Sequence, residues 1–166
     1  MAADLLGKML VVDRHGSLTS GRIVETEAYT SDDPASHSFS GPTRRNAAMF
    51  GPAGHLYVYL SYGIHRCANV VTGTDGDGQA VLLRAVAPVE GIEVMRRRRG
   101  GRALADGPGK LCEAFGIDLA DTGADLTDDG AIRICDVGMP GPSDPITGPR
   151  VGITKATERP WRFRLP

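Results

Sequence analysis

The stretch GRIVETEAYT, residues 21–30, places two carboxylates and a phenol at alternate positions of a β-prone run. Side chains alternate across a strand, so Ile23, Glu25, Glu27 and Tyr29 are expected on one face and Arg22, Val24, Thr26 and Ala28 on the other. Either that first face is wet and its charges do no chemistry, or at least one carboxylate points into a site that uses it. Residues i and i+2 lie ~6.6–6.8 Å apart along a strand. That overlaps the carboxylate separation of inverting sugar hydrolases. Those enzymes flank the scissile bond from different elements, however, and no broad polar sugar-binding set accompanies these residues.

The remaining tyrosines, Tyr57, Tyr59 and Tyr62, fall within HLYVYLSYGIHRCANVVT (55–72). Two β-prone runs flank SYGI, so a tight hairpin with Tyr62 and Gly63 at its tip is expected. Cross-strand tyrosines often only cover a sheet, and that packing role suits Tyr57. An aromatic at a hairpin tip suits a wedge or a partner contact better. His37 lies in a polar loop, where a histidine by itself signals nothing. The four histidines and three cysteines (Cys67, Cys112, Cys135) show neither zinc spacing nor a disulfide framework. GPGKL (107–111) lacks the earlier glycine and following hydroxyl of a P-loop. Its amides could still hold an anion at a helix start. RRRR (96–99) reads most simply as a helix C-terminus charged to suit its dipole.

The elements that position these residues follow from periodicity and punctuation. ADLLG and NAAMFG read as single helical turns. KMLVVD (8–13) and GRIVETEAY (21–29) read as strands joined through RHGSLTS. Residues 30–45 form a long loop of turn formers. AVLLRAV (80–86) is a continuous apolar strand, PVEGIEVMRRRRG (88–100) a helix opened by Pro88, and GPGKLCEAFGI a second helix. AIRIC and WRFRL are short strands, with a loop through GMPGPSDPITGP. Strands, then helices, then strands without βαβ alternation predict an α+β fold with a mixed, mainly antiparallel sheet.

A chain of 166 residues, 41% hydrophobic and 23% charged, fits one globular domain spanning 1–166. No apolar run reaches membrane-spanning length and no secretory leader pattern opens the chain, so an intracellular protein with no membrane association is expected. The net charge is −1, but it is unevenly placed. Residues 118–136 hold six Asp against the single Arg133, which leaves the remainder net positive. A basic face beside an acidic one is compatible with a nucleic-acid partner.

The segments LLGKMLV, GRIVETEAYTSDDPASHSFSGPTRRNAAMFGPAGHLYVYLSYGIHRCANVV, AVLLRAVAPVEGIEVMRRRR, GPGKLCEAFGI and RVGITKATERPWRF together resemble the alkyladenine (3-methyladenine) DNA glycosylase family. They do so in order along nearly the whole chain. VETEAY combined with LYVYLSYG is the specific part of the resemblance. It implies a monomeric single domain with a curved antiparallel sheet surrounded by helices and a DNA-inserting β-hairpin. It also implies a partner of duplex DNA carrying damaged purines, with no metal and no other cofactor. The activity implied is hydrolysis of the N-glycosidic bond of alkylated or deaminated purines flipped from the duplex, without lyase chemistry. By the resemblance, Glu27 is the general base for water. Tyr29, His37 and Tyr59 wall the flipped base, and Tyr62 is the wedge. Asn69 helps reject guanine through its exocyclic amine, and Arg84 contacts a phosphate near the extruded nucleotide. Arg44 and Arg45 are expected DNA contacts. His65 stands where an aromatic is expected. Two other readings stay open at this point: a damaged-DNA-binding domain without turnover, and a bifunctional glycosylase/lyase using an amine. Within VETEAY, Glu27 is expected to end the regular strand at the pocket and Glu25 to make a structural or solvent contact.

Overall fold

The organising element is one long strand at the centre of an antiparallel sheet. A computed structural model describes residues 1–101, 103–139 and 141–166. Strand β1 (Met9–Arg14) turns into β2 (Ser17–Tyr29) through the two-residue loop His15–Gly16. Both loop residues take positive φ, +55° and +68°, which matches the twist of a tight hairpin. β3 (Leu56–Ser61) and β4 (His65–Thr72) form the second hairpin, and β5 (Gln79–Glu90) returns beside β2. Among the described residues, eight strands pair, in the order β3-β4-β5-β2-β1-β6 with β6 at Ile132–Cys135. β8 (Arg162–Arg164) pairs β2 beyond the end of β1, and β7 (Ile146–Gly148) pairs β8. Every pairing is antiparallel, not mixed. The result is a curled half-barrel.

Among the described residues, two eight-residue helices, α1 (Ile92–Arg99) and α2 (Pro108–Phe115), and three short 3-10 turns accompany the sheet, which they do not surround as the resemblance implied. Both helices pack on one sheet face. There Met95, Leu111, Cys112, Ala114 and Phe115 join Leu10, Ile23, Leu56, Val70, Val81 and Leu83 in the main core. On the other face a small cluster of Met49, Tyr57, Val71 and Ala80 sits beneath the 3-10 turn Ala47–Phe50. The fold is thus α+β around one principal core, which leaves most of the second sheet face to a cleft.

Three local expectations are corrected. Residues 88–90 belong to β5, and α1 begins only after Gly91. Gly91 takes φ +72°, and a Cβ there would stand 2.2 Å from the Leu18 carbonyl oxygen. The chain therefore turns where backbone freedom permits it, and not at Pro88. The loop through 138–149 contains β7. The strand carrying VETEAY does not end at Glu27: the ladder continues regularly through Glu27↔Leu82, Ala28↔Val81 and Tyr29↔Ala80.

Candidate active site

A bulge in β2 decides what the opening motif faces. The β2–β5 register runs Ile23↔Val86, Glu25↔Ala85 and Thr26↔Leu83, so Val24 on β2 and then Arg84 on β5 are each left without a partner and both strands are irregular here. A one-residue irregularity of this kind reverses the alternation of side chains beyond it, and here it does so on both strands. Ile23 therefore enters the main core, as do Ala28 and its β5 partner Val81. Glu25, Glu27 and Tyr29 take the opposite face. The expectation that Ile23 shares a face with the carboxylates fails at this bulge, while the sharing of Glu25, Glu27 and Tyr29 holds.

Alternation on the neighbouring strands brings Leu82 and Arg84 from β5, Cys67 and Asn69 from β4, and Tyr57 and Tyr59 from β3 to the same side. These residues, with His37, Arg45, Tyr62, His65 and the first turn of α2, line a cleft of ≈ 640 Å³. Tyr29, Arg84 and Val151 line its floor, and Glu27 lies immediately beneath them with no exposed surface. The Tyr29 hydroxyl donates to Glu27 Oε2 at 2.9 Å and the Val151 backbone N–H to Oε1 at 2.8 Å. Arg84 Nε stands 3.5 Å from Oε1. Burial, reinforced by the Glu27 carboxylate, pushes the Tyr29 phenol far up, so it stays protonated and donates. Oε2 keeps an acceptor site beyond the Tyr29 bond.

Glu25 behaves differently. Its Oε1 accepts from Arg84 Nε at 2.9 Å and Arg162 Nε at 2.6 Å. Burial works against its ionisation, but the bonds from Arg162 and Arg84 outweigh it and hold the carboxyl below its ordinary 4.5. Both carboxylates thus share Arg84, with Glu25 as its principal partner.

The cleft wall is aromatic. His37 meets Tyr59 edge-on at 4.4 Å between ring centroids, and Tyr59 lies at 30° to Tyr57 at 5.7 Å. His37 Nδ1 lies 3.1 Å from the Tyr57 hydroxyl. Burial, aided by the nearby Arg45 charge, lowers the His37 imidazole below its ordinary value and favours the neutral ring. Tyr57 packs in the small core cluster, as its packing role predicts, and it also holds His37. Asn69 is buried, and its Nδ2 donates to the carbonyls of Tyr57 at 3.1 Å and Cys67 at 3.2 Å, so its amide is pinned. Cys67 also lines the cleft. Burial pushes its thiol up, and Cys112 behind it to about 12, so neither is poised as a thiolate.

Tyr62 sits at the hairpin tip, 86% exposed, in a three-residue connection in which Tyr62 and Gly63 both have positive φ, +51° and +71°. Arg45 donates to the Leu60 carbonyl at 2.9 Å and lines the cleft; Arg44 beside it is exposed. The opposite wall is the start of α2, where Gly107 caps the helix without a side-chain bond and Lys110 pairs with Asp106 at 2.9 Å. Arg99, last of the arginine run, also reaches the cleft and is paired with Glu113. No residue of the acidic 118–136 segment lines the cleft. Among the described residues, no group of three or more His, Cys, Asp or Glu side chains is placed to hold a metal ion.

Sequence reasoning missed Val151, Arg150 and Asp33. Arg150 and Asp33 form a fully buried ion pair next to Tyr29, and Val151 supplies its N–H to Glu27. The pairs are separated by 117 and 124 residues, a relation that no local pattern encodes. The sequence shows TSDDPASHS only as part of a loop of turn formers and RVGIT only as part of the family resemblance.

The comparisons with known proteins agree with one another. The family model described as "Methylpurine-DNA glycosylase (MPG)" matches residues 1–166. A protein of Nitrosospira multiformis is 50% identical over 171 residues, covering 99% of this chain and 83% of its own length. One from Methanoculleus marisnigri is 51% identical, covering 99% and 88%. One from Carboxydothermus hydrogenoformans is 47% identical over 169 residues, covering 99% and 88%. All three carry the name "Putative 3-methyladenine DNA glycosylase". The chain spans most of the length of each, and its VETEAY strand and tyrosine hairpin lie within the match: it belongs to the methylpurine-DNA glycosylase family.

Proposed function

We propose that residues 1–166 act as a monomeric, monofunctional purine DNA glycosylase that associates with DNA inside the cell. It hydrolyses the N-glycosidic bond of alkylated or deaminated purines, 3-methyladenine among them, after the nucleotide is flipped from the duplex. The observation that carries this reading is the buried Glu27 carboxylate, held by two donors and the nearby Arg84 charge directly beneath an aromatic-walled cleft.

A base inside a duplex cannot be reached, and extruding it costs a few kcal/mol. Tyr62, projecting from the hairpin tip, fills the vacated stack and offsets part of that cost. The extruded purine lies among Tyr29, His37 and Tyr59, where stacking contributes ~1–3 kcal/mol per base. The pinned Asn69 amide cannot swing aside, so a purine bearing guanine's exocyclic amine meets a fixed obstacle. Arg84, Arg44 and Arg45 face the phosphates. Glu27 then takes a proton from one water as that water's oxygen bonds to C1′ of the sugar. The bond from C1′ to the purine nitrogen breaks, and its electron pair leaves with the base. A cationic alkylated purine departs neutral. A neutral purine such as hypoxanthine needs a proton to leave as readily.

Single-turnover excision from duplexes carrying 3-methyladenine, 7-methylguanine, hypoxanthine or ethenoadenine tests the reading. Release of free base leaving an intact abasic site is expected, undiminished by EDTA. No release from any of the four would reduce the chain to a binding domain. Lys110 lines the cleft, so borohydride is included in the same assay. A trapped covalent DNA adduct that disappears in Lys110→Ala would replace hydrolysis with lyase chemistry.

A further inference from the structure

The loop that follows β7 has no regular structure at Val151, yet its N–H must meet Glu27 Oε1 within a few tenths of an ångström. What fixes it is the preceding residue. Arg150 is buried, and its Nη1 donates to the carbonyl of Ala28, which follows Glu27, at 2.9 Å. The same fork meets both oxygens of Asp33, Nη2 to Oδ1 at 3.0 Å and Nη1 to Oδ2. Its plane lies 4.5 Å over the ring of Tyr29 and 5.3 Å from Trp161. Asp33 in turn accepts from the Ala35 N–H at 3.1 Å, and its carbonyl accepts from the Ser36 N–H at 2.8 Å, which shapes the approach to His37.

We infer that the buried Asp33–Arg150 pair is a positioning device for the Glu27 carboxylate, locking the Val151 amide, the Tyr29 ring and the His37 loop to one another. The inference rests on Glu27 being the base. Neither side chain of the pair is exposed, and the Arg150 Nε has no hydrogen-bond partner among the described residues. Removing two charges from water is expensive, and apolar side chains of similar volume commonly hold a fold as well as a buried pair does. What apolar groups cannot supply is the planar fork, which fixes donor directions on the Ala28 strand and the Asp33 loop at once. Arg150 is the residue next to Val151, so a shift of the guanidinium is passed to the amide on Glu27. Misplacement of a reacting group by about 1 Å costs on the order of 10²-fold in rate.

Two variants of the full chain test this, Arg150→Lys and the apolar pair Asp33→Leu with Arg150→Met. Single-turnover excision is followed against enzyme concentration on the lesion that the unaltered chain removes fastest. This separates the maximal rate from the half-saturating concentration, and thermal unfolding is measured alongside. The expected result is a maximal rate lower by about 10²-fold, half-saturation within about twofold of the unaltered value, and a cooperative melt. A folded variant that excises at the unaltered rate overturns the inference. So does failure of both variants to fold, since the pair is then a folding element only. The base reading fails separately, and is recognised separately, if Glu27→Gln excises as fast as the unaltered chain.

Discussion

A carboxylate without exposed surface is costly unless its lone pairs and charge are met, and Glu27 has donors in Tyr29 and the Val151 N–H and the Arg84 charge beside it. Gln in its place keeps the shape and removes the proton acceptor. Glu27→Gln is expected to lower single-turnover excision by about 10²–10⁴-fold, the usual contribution of a placed general base. Lesion-duplex binding should persist or tighten, because a negative charge near the phosphates is gone; titration with the lesion duplex checks it. Glu25 sits two residues away and does different work. Its folded-state carboxyl titrates below the unfolded value of about 4.5, so the unfolded chain binds the extra proton. Its stabilisation is therefore complete above the unfolded value and is lost as pH falls through the lower folded value. Glu25→Gln should cost about 1.5–3 kcal/mol at pH 7 by weakening the bonds to Arg84 and Arg162. Urea unfolding should show that deficit shrinking below pH 4.5, with excision retained wherever the variant is folded. That Glu25 and Glu27 share a face was legible, because alternation needs only adjacent residues. That Val151 and Arg150 complete the site was not, because their partners lie more than a hundred positions away.

At the scale of elements, the second hairpin is where sequence and structure agree best. SYGI announced a tight turn, and the turn closes with Tyr62 and Gly63 in the left-handed region. Gly63 adopts that conformation freely; a tyrosine there costs on the order of 1–3 kcal/mol of local strain. The strain is spent on a side chain that touches little of its own fold, since Tyr62 is 86% exposed and Ile64 beside it 67%. Tyr62→Gly should therefore leave the melting temperature unchanged or raise it slightly. The same variant should weaken capture of the flipped base, read as a smaller signal from a fluorescent base analogue and slower excision. A clear loss of melting temperature would return Tyr62 to a packing role. The irregularity at Val24 was illegible, because the residues around it are as β-prone as a regular strand and only the pairing with β5 exposes it. The start of α1 misled for a related reason. Pro88 suits a helix start, but it also fits a strand end, and the tight approach of Gly91 to Leu18 settles the matter through tertiary contact.

Over the whole molecule, a net charge of −1 sits oddly with a DNA partner until the charges are placed. The acidic segment is largely consumed by the fold. Asp118 and Asp121 form a capping box and pair with Arg66 and Arg14, Asp125 and Asp128 close turns, and Asp136 holds Lys8. The cleft carries Arg45, Arg84, Arg99 and Lys110, with Arg44 on the same loop as Arg45. Three of those five cations already have carboxylate partners: Arg84 with Glu25, Arg99 with Glu113 and Lys110 with Asp106. A cation that keeps its carboxylate releases little counterion from DNA, so Arg44 and Arg45 should dominate the electrostatic term. Each phosphate neutralised contributes about −0.9 to the slope of log affinity against log salt. Two contacts give a slope near −2 and all five near −4.5. The expected slope for undamaged duplex is about −2 to −3, measured by anisotropy between roughly 50 and 200 mM salt. Arg44→Ala and Arg45→Ala should each reduce its magnitude by about one. Lysine-to-alanine change at 110 should leave it nearly constant. A slope steeper than about −5 would show a basic interface wider than the cleft rim.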